Sequence, residues 1–318
     1  MSNMKHCPRC NSITVVRFGT RNNRQRYRCK TCDHVWQSRS QPKRLERCIW
    51  EDFAVDDLRI KQLCQKYDIG KEKVRDTLNR HQVSSIMPSG QHDVIGMDCT
   101  YFGRRDIDEW GLLIIIDLYT KECLYCEEIP GHETYAHYCA ALDTLASFGV
   151  HPKVCVIDGV TGLAGVLEVR GLLVQHCQFH QIKTINSYLT RNPVLEPNIE
   201  LRRIALSLTH VNRQTFISIF NAWYYRNKIW LSEKARNPET RRLEYSHQKT
   251  RSAVHSLQRN FKYLYTFEQH PELLIPNTNN ILEGINSAIK SKLNRHRGAK
   301  KNLKTQLIRD FLSRRTGR

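Results

Sequence analysis

The chain has 318 residues, of which 40% are hydrophobic, so it can bury a sizeable core. Its formal net charge of +19 makes the chain strongly basic, which points first to nucleic acid as a partner. The longest apolar run, WGLLIII, is too short to span a bilayer, and no secretory signal precedes the 12 cysteines. We therefore expect a cytoplasmic, nucleoid-associated protein without membrane contact, whose spaced cysteines bind metal.

The charge is unevenly distributed along the chain. Residues 1–90 contain 19 basic and 9 acidic side chains, residues 91–178 contain 5 and 13, and residues 179–318 contain 26 and 9. An acidic segment between two basic ones is typical of a catalytic centre that holds cations while its flanks bind phosphates. The alternative is a solvated basic surface without a partner.

Two Cys-x2-Cys pairs, separated by 18 residues, lie near the N-terminus. Their members are Cys7, Cys10, Cys29 and Cys32. Four thiolates on two tight turns complete a tetrahedral Zn²⁺ site, so residues 1–42 are predicted to form a zinc ribbon with one structural ion and a short hairpin. The hairpin carries three candidate DNA contacts, Arg24, Arg26 and Arg28. Alternatively, the ribbon only stabilises a small fold.

Residues 43–90 predict a helix-turn-helix DNA-binding domain followed by a linker. Apolar positions from Leu58 to Tyr67 follow helical spacing, Gly70 lies in a break, and a second apolar stripe follows. In this motif the second helix enters the major groove. Its basic side chains are the candidate contacts: Lys71, Lys73, Arg75 and Arg80. An ordinary helical hairpin is the alternative. The stretch 84–93 contains Pro and Gly and little to bury, as in a linker.

The segment 91–188 predicts a mixed α/β sheet. Its order is strand, strand, strand, helix, strand, turn or short helix, strand, helix, which matches the RNase H-like fold. In such a sheet the first and fourth strands can be neighbours. Asp98 and Asp158 come late in these two strands, so they would converge although 60 residues separate them. Asp117 also follows an apolar strand, but DLYTK is turn chemistry, so a structural role is expected.

A third carboxylate is predicted on a helix within NTNNILEGINSAIKSKLNRH. Glu283 lies beside the apolar face of this helix, and Asn279 or Asn280 can cap its start. Lys290 lies two turns along the same side and is a candidate contact for a DNA phosphate. A solvated glutamate is the usual alternative on an amphipathic helix.

Neighbouring carboxylates repel each other unless a cation lies between them. Mg²⁺, or Mn²⁺ in its place, prefers hard oxygen ligands, and two such ions can assist phosphoryl transfer. Asp98, Asp158 and Glu283 are therefore predicted to be catalytic metal ligands.

Cys177-x2-His180 and Cys123-x2-Cys126 together could form a second zinc site. Residues three apart on a strand point to opposite faces, and ECLYCEE is predicted to be a strand, which argues against this site. His180 is instead predicted to lie near the active site, where it organises a carboxylate or the scissile phosphate. A buried core histidine is the alternative.

Asp98 in MDCTYF, Asp158 in VIDGVTGL, the Cys177-x2-His180 motif and Glu283 in NTNNILEGIN together resemble the DDE transposases of bacterial insertion sequences. The resemblance is to the Mutator-like group, in its variant with an N-terminal zinc-binding segment. It implies an RNase H-like catalytic core interrupted by an all-helical insertion. The implied segments are a first core part, 91–188, the insertion, 189–271, and a last core part, 272–318, with the Glu helix and a basic C-terminal tail.

Within the insertion, Trp223 and Trp230 are expected to be large apolar anchors, and Leu303, Leu307 and Leu312 predict one more docked helix near the C-terminus. The resemblance also implies recognition of terminal inverted repeats, nicking of DNA ends by water and joining of the freed 3′-OH to target DNA, by a homodimer or larger assembly. In that scheme Asp98 bridges two Mg²⁺ ions, and Asp158 and Glu283 each hold one. The alternatives are a non-enzymatic DNA-binding regulator derived from a transposase and an RNase H-like nuclease that cuts without joining.

Overall fold

The structure is a computed structural model that describes residues 6–21, 24–37, 42–104, 107–129 and 131–315, without the side chains of Arg24, Pro42 and Lys43. The chain divides into two compact units, Met1–His81 and Gln82–Arg318. Within the described ranges, no helix combines the length and apolar character that a membrane crossing requires.

The first unit contains a small antiparallel sheet followed by three helices. Its elements are β1 Val15–Arg21, β2 Arg24–Cys29, β3 Val35–Gln37, α1 Pro42–Ala54, α2 Ile60–Tyr67 and α3 Lys71–Arg80. The predicted hairpin is present, since β1 pairs with β2 and β2 with β3. Among the described residues of 6–37, only Cys7 and Cys29 are buried, so the ribbon has no apolar core of its own.

The two helices predicted between Leu58 and Arg80 are present as α2 and α3. The sequence analysis did not predict α1, which supplies the large buried side chains Trp50 and Phe53 to this three-helix cluster. The turn between α2 and α3 contains Asp68 in the left-handed region, with a φ of 50°, whereas Gly70 precedes α3 with an ordinary φ of −66°. The sharp bend is therefore made at Asp68 and not at the glycine.

The second unit begins with the predicted alternation of strands and helices. These elements are β4 Val94–Phe102, β5 Trp110–Asp117, β6 Cys123–Ile129, α4 Tyr135–Ser147, β7 Val154–Ile157, α5 Leu163–Val169, β8 Leu173–His176 and α6 Gln178–Leu189. They form a five-stranded mixed sheet in the order β6-β5-β4-β7-β8. β4, β7 and β8 are parallel, and β5 is antiparallel to both of its neighbours. The predicted element order and the adjacency of the first and fourth strands are confirmed.

The remainder of the second unit is mostly helical. Its elements are α7 Glu196–Leu206, α8 Arg213–Ser232, β9 Lys234–Arg236, β10 Leu243–Tyr245, α9 Gln248–Asn260, α10 Thr266–Gln269, α11 Asn280–Arg295 and α12 Lys301–Ser313, with 3₁₀ turns at Ser207–Thr209 and Pro271–Leu273. Apolar side chains of α4 and α5 cover one face of the sheet, and those of α11 and α12 cover the other. Leu303, Leu307 and Leu312 are buried, so the predicted C-terminal docked helix is present as α12.

The segment between β8 and α11 has its own core, built around Phe216, Phe220 and Trp223 from α8. Trp230 is partly buried against this core and stacks on His247 at 3.6 Å. The expectation of an all-helical segment is wrong, because β9 and β10 form a two-stranded antiparallel sheet. Three-residue strands are too short to show an alternating pattern in the sequence.

The expectation that residues 84–93 have little to bury needs correction. The stretch 84–93 contains no helix or strand, but it is not free of buried groups: His92 is 4% exposed, and its Nδ1 lies 2.9 Å from Asp117 Oδ2. Asp117 also accepts hydrogen bonds from the backbone N–H groups of Tyr119 and Thr120 at 2.7 Å, as expected of a structural aspartate.

Cys123 and Cys126 do not point to opposite faces of the sheet. The pairing of β5 with β6 skips Leu124, so both cysteines pack in the same core cluster. The bulge, which the sequence does not reveal, changes the side-chain alternation.

Candidate active site

Asp98 and Asp158 are brought together by the parallel pairing of β4 and β7. Met97 of β4 is paired with Ile157 of β7. Asp98 directly follows Met97, and Asp158 directly follows Ile157. Asp158 follows β7, as predicted, but Asp98 does not end its strand. β4 continues to Phe102, because the residues after Asp98 remain paired with β5. The two carboxyl groups therefore lie at equivalent positions of neighbouring strands.

Glu283 reaches this place because α11 begins very close to β4. A Cβ atom on Gly96 of β4 would lie 2.6 Å from Asn279 Oδ1 and 2.8 Å from Leu118 Cδ2, so any larger residue there would displace these side chains. Asn279 precedes α11, but its side chain makes no capping hydrogen bond, contrary to expectation. That side chain is buried against β4 instead. Glu283 occupies the first turn of the helix, where the helix dipole favours a negative charge.

The three predicted carboxylates line one open cleft of about 470 Å³. Lys290 lines it as well, as the sequence predicted for the same side of the helix. The neighbouring cleft shares Lys290 and adds the basic residues Arg297 and Lys304. The acidic centre is thus bordered by cationic side chains.

His180 lies between two of the carboxylates. Its Nδ1 is 2.7 Å from Asp158 Oδ1, and its Nε2 is 3.0 Å from Glu283 Oε1. Burial alone would lower the pKa of His180. Contacts with Asp158 and Cys177 outweigh this effect and raise the pKa to about 10. Lys183 Nζ donates to Glu283 Oε1 at 2.6 Å. Asp158 thus contacts His180, and Glu283 contacts both His180 and Lys183.

Asp98 is held by a neutral side chain, whereas Asp158 and Glu283 contact basic ones. Asn286 Nδ2 donates to Asp98 Oδ2 at 2.6 Å. Burial and the charge of Asp158 raise the pKa of Asp98 to about 7, although His180 acts in the opposite direction. A buried carboxylate beside a second one is disfavoured in its charged form, and a divalent cation would reverse this. Asn286 Oδ1 is buried and has no hydrogen-bond partner among the described residues.

The sequence analysis missed Glu133, which lines the same cleft just before α4. Its carboxylate accepts a hydrogen bond from Tyr138 OH, and its backbone N–H donates to Tyr101 OH at 2.7 Å. Burial raises the pKa of Glu133, and the charge of Asp158 adds to this effect. A glutamate in a connection before a helix carries no distinguishing signal in a single sequence.

Lys183 and Asn286 were also missed, but a signal for them exists. Each lies three residues after a predicted site residue on the same helix, Lys183 after His180 and Asn286 after Glu283. Side chains at this spacing share a helix face. Extending the predicted site by one helical turn would have found both.

The four N-terminal cysteines converge as predicted, with their sulfur atoms within 4.8 Å of one another. Cys7 Sγ is 3.6 Å from Cys32 Sγ, and Cys10 Sγ is 3.6 Å from Cys29 Sγ. Tetrahedral coordination with Zn–S bonds of about 2.3 Å separates the sulfurs by about 3.8 Å, which fits this spacing. Burial raises the pKa of Cys29, but backbone N–H groups and the neighbouring thiols lower it to about 6, which favours the thiolate that Zn²⁺ requires.

The predicted DNA-contact residues have mixed surroundings. Arg26 and Arg28 lie over the ring of Phe18, at 5.2 and 5.5 Å, and Arg28 also pairs with Asp33 at 2.8 Å. The side chain of Arg24 lies outside the described part of the structure.

The four basic side chains of α3 are all exposed: Lys71, Lys73, Arg75 and Arg80. Arg75 pairs with Glu72 at 2.9 Å.

No protein-family model matches the chain, and no curated protein matches it significantly. Among solved structures, the Drosophila P element transposase strand transfer complex aligns at 11% identity and a TM-score of 0.33, over 86% of this chain and 79% of that one. The HTLV-2 integrase catalytic core domain in complex with magnesium aligns at 17% identity and a TM-score of 0.22, over 38% and 88%. The simian T-cell lymphotropic virus intasome in complex with a PP2A regulatory subunit aligns at 11% identity and a TM-score of 0.23, over 52% and 69%.

Proposed function

We propose that this protein is a DNA transposase of the DDE type, which binds the terminal repeats of a mobile element, nicks the DNA strand and joins the 3′-OH end to a target. The observation that carries the proposal is the meeting of three remote carboxylates in one cleft. Asp98 comes from β4, Asp158 from the end of β7 and Glu283 from the first turn of α11. The order β6-β5-β4-β7-β8 supports assigning the sheet to the RNase H-like fold.

The cleft suits hard divalent cations such as Mg²⁺ or Mn²⁺. Its ligands would be carboxylate oxygens, and because burial and the charge of Asp158 raise the pKa of Asp98, a divalent cation would stabilise the charged form of this carboxyl. Asp98, Asp158 and Glu283 would together hold these ions. When bound, such ions activate the attacking oxygen and stabilise the leaving one in phosphoryl transfer.

The chain's own side chains have supporting roles in this proposal. His180, in contact with Asp158 and Glu283, orients both carboxylates. Lys290 is exposed at the edge of the cleft, seven residues beyond Glu283, and would bind a phosphate next to the scissile one. Arg297 and Lys304 would continue this phosphate track along the neighbouring cleft.

End recognition is assigned to the first unit. The exposed basic face of α3 suits the major groove, and the ribbon arginines suit flanking phosphates. The four-cysteine cluster would hold one structural Zn²⁺ ion that keeps the ribbon folded. Because DNA recombination acts on two ends, we propose that the active form on DNA is a dimer or larger.

The test uses linear DNA carrying the sequences that flank the gene, a supercoiled target plasmid and the full-length protein. With Mg²⁺ we expect nicks at the element ends and joined products, and with a chelator neither. Nicks without joining in Mg²⁺ would instead identify a nuclease. Binding to the ends without nicking in either condition would identify a regulator.

A further inference from the structure

A second group of side chains that could hold a metal ion includes two residues of the acidic cleft, Asp158 and His180. One ligand atom from each of Asp158, Cys177 and His180 falls within 4.8 Å of the other two. The chain brings them together through two local features. Asp158 follows β7 and Cys177 follows the adjacent parallel strand β8, while His180 occupies the third position of α6, facing the residue that precedes that helix.

The contact between Asp158 and His180 is not an ordinary hydrogen bond. Asp158 Oδ1 and His180 Nδ1 are 2.7 Å apart, and both atoms are shielded from solvent. Yet neither atom has a partner in hydrogen-bond geometry among the described residues. Two shielded polar atoms without an aligned proton between them lack a partner, which a bound cation would supply once their contact opens to the roughly 3.3 Å that two ligands of one tetrahedral ion require.

The surroundings of the other ligand atoms point the same way. Cys177 is buried, and its Sγ accepts the backbone N–H of Asn279 at 3.2 Å, which fixes the position of the sulfur beside His180. The second ring nitrogen of His180 lies 3.0 Å from Glu283 Oε1. A metal-bound histidine commonly has a carboxylate beside its other nitrogen, which fixes the ring orientation.

We propose that Asp158, Cys177 and His180 form a second transition-metal site, of the Zn²⁺ and Co²⁺ class, separate from the four-cysteine site of the ribbon. One oxygen, one thiolate and one imidazole make a donor set that Zn²⁺ prefers and that Mg²⁺ does not. Three protein ligands leave a fourth position free for water.

This site shares Asp158 with the proposed magnesium site. If the proposed function holds, on which this consequence alone rests, Zn²⁺ and Mg²⁺ compete for the same carboxylate. Zn²⁺ would then inhibit strand cleavage, and replacing Cys177 would weaken that inhibition at least tenfold. Excess Mg²⁺ would not displace the transition metal, because Mg²⁺ binds thiolate and imidazole poorly.

The site itself is tested without any DNA chemistry. The full-length protein is stripped of metal and titrated with Co²⁺, whose bonds to thiolate absorb in the near-ultraviolet. We expect two thiolate-bound Co²⁺ ions per chain in the wild type, one for each cysteine-containing cluster, counted by this absorption. Cys177→Ser and His180→Gln should each reduce this to one ion and remove only the part of the absorption due to a single thiolate. Cys139→Ser, a half-buried cysteine of α4 outside both clusters, is the matched control and should retain two.

A wild-type stoichiometry of one ion, with unchanged absorption in Cys177→Ser, would overturn the proposal. Circular dichroism and retention of the ion in the four-cysteine site distinguish loss of the second site from loss of the fold, and His180→Gln provides a second, independent variant. A protein that binds two Co²⁺ ions but does not cleave DNA would refute the transposase function and leave the metal site standing. A protein that cleaves DNA but binds a single Co²⁺ ion would refute the second metal site and leave the transposase function standing.

Discussion

Asp98 and Asp158 occupy equivalent positions on neighbouring parallel strands, each directly after one member of the Met97–Ile157 pair. The sheet therefore holds two partly buried carboxyl groups side by side. Such an arrangement costs folding free energy unless a cation compensates for it. This relationship leads to the first prediction.

Asp98→Asn should stabilise the metal-free protein. Burial and the charge of Asp158 raise the pKa of Asp98 to about 7, so its charged form is disfavoured in the folded state. Asparagine keeps an acceptor for Asn286 Nδ2 but removes the charge. We expect an increase in the free energy of unfolding of roughly 1 kcal/mol or more at pH 8, measured by urea denaturation in chelator.

The matched control is Asp93→Asn. Lys153 pairs with Asp93 at 3.0 Å, and hydrogen bonds from Gln91 and Lys153 lower the pKa of this carboxyl. Its replacement should leave stability unchanged or reduce it slightly, since the pair is partly exposed. A stabilised Asp93→Asn together with a destabilised Asp98→Asn would contradict the account of strain at the site.

Gly96→Ala should misplace Glu283. The added Cβ would lie 2.6 Å from Asn279 Oδ1 and 2.8 Å from Leu118 Cδ2, so the side chains of Asn279 and Leu118 must shift. Glu283 N–H donates to Asn279 O at 3.1 Å, so a displaced Asn279 would disturb the first turn of α11. We expect a loss of about 1–3 kcal/mol in the free energy of unfolding, as for other overpacked cores, and a large loss of metal affinity.

Gly284→Ala in α11 serves as its control. A Cβ there meets no atom within 4 Å, so alanine should stabilise the helix by about 0.5–1 kcal/mol. Equal effects of the two substitutions, by thermal unfolding, would show that the close approach at Gly96 is unimportant.

Much of the second unit is predictable because its signals are strong. The strand of eight residues, Trp110–Asp117, is buried throughout and appears in the sequence as a continuous apolar run. Asp98 and Asp158 could be placed together because parallel neighbours in this element order share one edge. The exact register, which sets Asp98 in mid-strand, depends on pairings that a single sequence does not show.

Other features depend on three-dimensional contacts. Glu133 joins the site only because the connection before α4 folds back to Tyr101, which is 32 residues earlier. The shared face of Cys123 and Cys126 follows from a bulge in pairing between β5 and β6. The site formed by Asp158, Cys177 and His180 depends on the neighbouring ends of β7 and β8, while the Cys-x2-His spacing alone was visible in the sequence.

Removing metal from the ribbon should unfold it while leaving the second unit intact. The described residues of 6–37 bury only Cys7 and Cys29, so no apolar core replaces the lost metal bonds. We expect amide protons of β1 to β3 to exchange freely after chelation or in Cys10→Ala, measured by hydrogen exchange. Protection of these strands in the metal-free protein would contradict a structural role for the ion.

Lys73→Ala on α3 should weaken DNA binding at all sequences. An exposed lysine that contacts a phosphate releases about one counter-ion, so the slope of log affinity against log salt should fall by about 1. Glu72→Ala should have the opposite effect, because it frees Arg75 from an ion pair of 2.9 Å and removes a negative charge. Fluorescence anisotropy over a range of salt concentrations measures both, and unchanged slopes would exclude α3 from the DNA interface.

The central claim is most directly tested by single-turnover cleavage of pre-bound element ends by Asp98→Asn, Asp158→Asn and Glu283→Gln. Each substitution removes one negative ligand while keeping the shape of the side chain, so we predict a loss of cleavage rate of at least about 1000-fold in Mg²⁺, on the order of 4 kcal/mol in the activation barrier. Binding of the ends should remain within about threefold of wild type, since recognition is assigned to the first unit. Cleavage at the wild-type rate by any of the three variants would contradict the assignment of that carboxylate to the catalytic centre.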